Sequence, residues 1–327
     1  MSLRLSESAS DPLAAADPVA EVLAAHRAGR DLLLHTSGST AAARPVLRST
    51  ASWWDSFAAY SALSGVGTGA RLWVPGPASA TMNLFAAVHA RVVGATLVSR
   101  PEDATHACLT PALLARRGDR LAAGTRVVVA GDALSPAQHA TATARGLEVV
   151  HYYGAAELSF VAAGPHAGAL RVFPGVQVRV VAGEIRLRSP YVARPGSGAL
   201  RLEDGWATVG DRGRLDGDRL VVLGRPGTVT TAGATVSPAE VEVELSTVAR
   251  GDCAVVGLPD PDLGAVLVAV LTDPGDRERL ASHARRRLAP ALRPRRWQLV
   301  DELPLNGAGK VDRVRLGELV RTLRSTR

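Results

Sequence analysis

At 327 residues with 46% apolar content, the chain is long enough for one large domain and a smaller second one, each with its own core. A formal charge of +7 and a pI near 10.3 raise nucleic acid as a partner, but zinc-ligand spacing and an aromatic-basic platform are both missing, which argues against one. No run approaches ~18 uninterrupted apolar residues, so no membrane span is expected, and two distant cysteines, Cys108 and Cys253, make no disulfide framework.

In chain order, the first segment, MSLRLSESASDPLAAADP, has no apolar signal core and reads as a solvated leader, which fits a cytoplasmic location. Buried strands are predicted at RDLLLHT (30–36), RLWVPG (71–76), TLVSR (96–100), RVVVAG (126–131) and LEVVHYYG (147–154). Helices are predicted at NLFAAVHARVV (83–93) and SPAQHATATAR (135–145), the second with Ser135 as N-cap and Pro136 at the first helical position. This alternation argues for a largely parallel α/β sheet. From residue 176 to 223, short alternating strands separated by Gly and Asp turns predict a small antiparallel, barrel-like part. After Gly224-Arg225 the pattern becomes α+β. The predicted organisation is α/β: a large N-terminal domain over 1–225 and a small, mobile α+β domain over 226–327. The densest positive run, HARRRLAPALRPRRW (283–297), reads as a solvated helix and loop or as a phosphate-facing surface.

Among the 38 Lys plus Arg residues there is one lysine, Lys310. Where a generic cation suffices, arginine has taken the position. The surviving lysine marks a place where a compact point charge is needed and a planar guanidinium does not fit.

Five segments carry candidate chemistry. LHTSGSTAAARPV (34–46) ends a strand in hydroxyls and a glycine, a setting in which backbone N–H groups and Thr36, Ser37, Gly38, Ser39 and Thr40 converge on phosphate oxygens, with Arg44 adding charge. At 152–157, Tyr153 and Gly154 precede Glu157, so an aromatic for a purine and a carboxylate for Mg²⁺ lie close together. Asp211 stands in a turn suited to accepting ribose hydroxyls. Arg225 and Gly233 come next, and PLNGAGKVDR (304–313) presents Lys310 from a glycine-rich loop.

In order and spacing these segments resemble the core motifs of the adenylate-forming superfamily of acyl-CoA synthetases, adenylation domains and luciferases. Within it, VVLGRPGTVTTAGATVSPAEVE, DCAVVGLPDPDLG and LPLNGAGKVDR look most like the short o-succinylbenzoate–CoA ligases of actinobacterial menaquinone biosynthesis. The resemblance implies an AMP-forming acid–CoA ligase that uses ATP, Mg²⁺ and CoA on a small carboxylic acid, o-succinylbenzoate being the specific candidate, with a homodimer as the expected assembly. It assigns Lys310 to the carboxylate and α-phosphate, Glu157 to the metal, 36–40 to the phosphates, the Tyr153 region to adenine, Asp211 and Arg225 to the ribose, and Gly233 to the pantetheine tunnel. Two alternatives stand beside it. One is a stand-alone adenylating enzyme that loads a carrier protein, with the basic patch as its contact. The other is a degenerate homologue that binds nucleotide without turnover. The sequence departs from the family pattern at Ala41, Ala43, Arg44 and Pro45 in the phosphate loop, at Ala156 before the acid, and near Ala80. It also lacks roughly 100 residues ahead of the phosphate loop that full-length relatives carry.

Overall fold

The structure, a computed structural model, describes residues 9–35, 44–224, 227, 229–231, 234–260 and 264–325. Its centre is a 13-stranded sheet. One half is parallel, in the order Thr96–Val98, Arg71–Trp73, His106–Leu109, Arg126–Val129, Glu148–Ala155. The strand Arg126–Val129 shows why this half is interior. Val128 feeds one apolar cluster while Val127 and Val129 feed another on the opposite face, and all three are buried. A strand with both faces covered reads as continuous valine rather than as alternation. Helices Thr81–Val92 and Pro136–Ala144 form where predicted, the latter opened by a full capping box between Ser135 and Gln138.

At Ser159–Gly164 the pairing turns antiparallel, and the short strands from Leu170 to Gly224 extend the same ladder. The parallel strand ends and the Asp211 turn therefore belong to one hydrogen-bonded surface. Tyr153 and Asp211 sit on its two kinds of strand.

Two features were not anticipated. Residues 9–17 are more than a solvated leader. Ser10 is 3% exposed, donating its N–H to Asp31 O and accepting from Leu33 N–H, so it lies against the strand Asp31–His35. That strand otherwise exposes an unpaired edge, which explains the capture. The helix Ala51–Ser64 carries Trp53, Phe57 and Tyr60 at i, i+4 and i+7, all buried and each edge-on to Phe85.

After residue 237 a smaller unit folds about a three-stranded sheet, Cys253–Asp260 with Gly264–Leu271 antiparallel and Arg296–Leu299 parallel. Val255 points to the face covered by Pro238–Ser246 and Asp276–Arg287, while Ala254 and Val256 point to Arg313–Ser325. The expected boundary at 225/226 falls outside the described residues. The run 283–297 begins as the last turns of Asp276–Arg287, where Ala284 is buried and Arg285 and Arg286 are exposed. No helix among the described residues is long and apolar enough to cross a membrane.

Candidate active site

The loop that carries Lys310 is built by Asn306. Its Oδ1 accepts from the N–H groups of Ala308 and Lys310 at 3.0 and 3.1 Å, while its backbone N–H reaches Lys310 O at 2.8 Å and its carbonyl accepts from Gly309. Gly309 completes the turn at φ +75°, in the left-handed region that glycine adopts without penalty. The base is closed by a Leu305–Val311 bridge and by Asp312 N–H donating to Pro304 O. A rigid nine-residue turn thus points its one cation away from its own unit.

The cation arrives over the parallel sheet. Gly131 lies just beyond the carboxyl end of Arg126–Val129, and a Cβ built there would stand 3.1 Å from Lys310 Cε and 3.0 Å from Met82 Sδ. Gly131 has φ +89°, so both backbone and space demand glycine. The carboxyl ends of parallel strands are where open α/β sheets take their ligands, and Lys310 is delivered to that edge.

A second pair lies on the neighbouring strand. The Tyr153 hydroxyl donates to Asp211 Oδ2 at 2.7 Å, joining Glu148–Ala155 to the turn that precedes Arg212–Asp216. Asp211 is 8% exposed, and its carbonyl accepts from Ile185. Gly154 permits this close layering, since a Cβ on it would overlap the Ser159 carbonyl.

Glu157 sits in the turn after that strand. It is 2% exposed, Oε1 accepts from Ala199 N–H at 3.0 Å, and any Cβ on Gly198 would strike its carboxylate. Its charge neighbour is Arg48, fully buried on the strand Pro45–Ser49. The Arg48 guanidinium donates to Ser52 Oγ, Ala156 O and Tyr191 O at 3.2, 3.2 and 2.5 Å, and stacks 5.6 Å from the Trp53 centroid. Burial lowers its pKa to about 9, and the attraction of Glu157 works against that shift.

Of the predicted residues, Lys310, Tyr153, Gly154, Asp211 and Glu157 are thus placed on or beside the carboxyl edge of the sheet, and Arg44 is exposed at the start of the second hairpin strand. Thr36, Ser37, Gly38, Ser39, Thr40, Arg225 and Gly233 lie outside the described residues. Sequence reasoning missed Arg48, Thr110 and Gly131. A usable signal existed for two of them, a glycine directly after a valine strand and a Thr-Pro helix start, and none for Arg48.

Two of the polar groups beside the strand ends are already engaged. Burial holds the His151 pKa down to about 4, so the ring is neutral at pH 7, and its Nδ1–H donates to Val129 O at 2.9 Å, leaving Nε2 only an acceptor. Asn83 donates through Nδ2 to Pro77 O.

Comparisons agree with this geometry. Residues 240–310 match the AMP-binding enzyme C-terminal domain. The Mycobacterium tuberculosis protein named "Probable 2-succinylbenzoate--CoA ligase" is 37% identical over 193 residues, covering 54% of this chain and 49% of that protein. "Uncharacterized acyl--CoA ligase YhfT" of Bacillus subtilis is 27% identical over 95% of this chain and 71% of its own length. The chain therefore spans about half the length of the mycobacterial relative. Among solved structures, E. coli MenE with bound OSB-AMS superposes with a TM-score of 0.74 at 24% identity, over 89% of this chain and 68–69% of such neighbours. The amide bond synthetase McbA of Marinactinospora thermotolerans gives 0.71 at 27% identity, over 88% and 67%. With the matched C-terminal domain, the ligase relatives and the shared fold together, the chain belongs to the adenylate-forming superfamily.

Proposed function

We propose that this protein is an AMP-forming acid–CoA ligase, which joins a carboxylic acid to AMP and then to the CoA thiol. The observation that carries the reading is Lys310 lying over Gly131 at the carboxyl edge of the parallel strands. A carboxylate approaching an α-phosphate meets like charge, and a fixed ammonium between them stabilises the charge that builds in the transition state. Tyr153 and Asp211 would hold the nucleotide, Asp211 accepting the ribose hydroxyls beside the Tyr153 hydroxyl it already accepts.

For Mg²⁺ the chain offers a single carboxylate, since no group of three or more His, Cys, Asp or Glu suited to a metal occurs among the described residues. That suits an ion which takes one or two carboxylates and completes its shell with phosphate oxygens and water. Glu157 would hold it through the carboxylate oxygen not given to Ala199 N–H. Bound there, Mg²⁺ supplies charge neutralisation for the departing pyrophosphate.

As to the acid, o-succinylbenzoate carries a second carboxylate, which needs a cation or several donors if it is buried. Among Ser79, Thr81, Asn83, His151 and Ser159 there is no fixed cation, and His151 and Asn83 are already engaged. Neutral aromatic or medium-chain monocarboxylates fit this donor set better. The test is pyrophosphate release and CoA-ester formation with o-succinylbenzoate beside benzoate and octanoate. Turnover of the monocarboxylates is expected. Turnover of o-succinylbenzoate alone overturns the choice of acid, and no pyrophosphate release from any acid overturns the ligase.

Nucleotide holding has its own check. Asp211→Ala should weaken AMP binding by about 1.5–3 kcal/mol, the range for hydrogen bonds to a charged acceptor. Calorimetry showing wild-type AMP affinity would return Asp211 to the role of a turn residue.

A further inference from the structure

The short helix Pro111–Arg117 grips both ends of the Lys310 turn. At its start, the buried Thr110 hydroxyl donates to Gly309 O at 2.6 Å, one residue before the lysine. Two turns on, Arg116 donates to Leu303 O at 2.7 Å, just ahead of the turn, and pairs with Glu302 at 2.9 Å. Between them, Leu113 packs on Gly309 so closely that a Cβ there would stand 3.0 Å from Leu113 Cδ1. A third tie, Gln138 Nε2 to Asp252 Oδ1 at 2.6 Å, joins the next helix to the same smaller unit.

These contacts are not equivalent to general packing. Gly309 and Leu303 offer carbonyls that the internal bonds of the turn leave aside, and each is taken by a side chain from the opposite unit. Two carbonyls held from one rigid helix fix both the position and the tilt of the turn between them. Thr110 also stands directly after the parallel strand His106–Leu109, so the helix inherits its placement from the sheet edge on which Gly131 lies.

We propose that Pro111–Arg117 is a cradle that aligns Lys310, with Thr110 and Arg116 as positioning residues for adenylation. The proposal rests on the ligase reading for its chemistry, but not for its geometry. A displacement of about 1 Å in a positioned charge costs up to about 10²-fold in rate, so losing one of two anchors should be felt without abolishing the reaction.

The composition provides a direct probe. Lys310 is the sole lysine, so an amine-acylating reagent modifies only it and the α-amine, and peptide mass spectrometry separates the two. Thr110→Val keeps the shape and removes the hydroxyl; Arg116→Gln shortens the second anchor; Thr110→Ser restores the first. In Thr110→Val and Arg116→Gln the modification rate of Lys310 should rise at least about threefold, and kcat for pyrophosphate release should fall about tenfold with the KM for ATP within about twofold, while Thr110→Ser stays near wild type. Wild-type modification rates in both variants overturn the cradle. So does a faster modification with unchanged kcat, which leaves the anchors no part in the reaction. Labelling needs no turnover, so a wild-type protein that activates no acid would sink the ligase reading while the modification rates still decide the cradle.

Discussion

Replacing Lys310 by alanine, and equally by arginine, is expected to slow acyl-adenylate formation by on the order of 10²-fold or more. The alanine variant loses the charge. Arginine keeps it but changes its shape, and the space is already taken: Met82 Sδ and Lys310 Cε both stand about 3 Å from the Cβ that Gly131 lacks. A planar fork cannot thread that gap as a slender stem does. The second half-reaction, transfer from pre-made acyl-adenylate to CoA, should survive both substitutions, because the lysine acts on the carboxylate–phosphate step. Stopped-flow pyrophosphate release against thioester formation from supplied adenylate separates the two. Arginine at wild-type rate would mean that any cation serves, and the reason for a single lysine among so many arginines would have to be sought elsewhere.

The second large effect is on stability. Arg48→Met should cost about 3–5 kcal/mol, the range for removing one partner of a buried charge pair. Methionine fills much of the volume, yet it leaves the Ala156 and Tyr191 carbonyls without their donor and the buried Glu157 carboxylate without a cation. Urea unfolding with the slope held constant reads the loss as a shift in midpoint. Adding Glu157→Gln should recover part of it, because the two residues are coupled rather than additive. An Arg48→Met protein within about 1 kcal/mol of wild type would show that the guanidinium carries no net stabilisation after its desolvation is counted.

Most of the strand framework was legible because buried parallel strands announce themselves as valine and leucine runs. The Ser135 helix was legible because its start is written in a cap and a proline. Lys310 stood out by number alone. Arg48 could not be found that way. It is one of 37 arginines, the 38 basic residues less Lys310, and what sets it apart is complete burial, a property of the assembled core. Thr110 is invisible for a related reason, since its partner Gly309 lies 199 positions away. The helix Ala51–Ser64 was passed over although its aromatic spacing is regular; its serines and paired tryptophans dilute the apolar face. Ser10 was read by composition as solvated, and composition carries no information about a strand edge waiting to be covered.

The hairpin Asp31–His35 and Pro45–Ser49 is a two-stranded sheet of its own, outside the large ladder. It is fastened to the loop at 194–198 by Arg194 N–H to Leu47 O, Gly198 N–H to Pro45 O, the Ser197 hydroxyl on both Leu47 backbone groups, and a bidentate Arg194–Asp31 pair. A unit held by a handful of bonds rather than by a continuous ladder has its own opening free energy, lower than that of the sheet behind it. Its amides accordingly form a separate exchange class from those of the valine strands. The segment that joins its two strands is 36–44, the candidate phosphate loop, so whatever docks or frees this hairpin sets when that loop is presented, independently of the swing of the smaller unit.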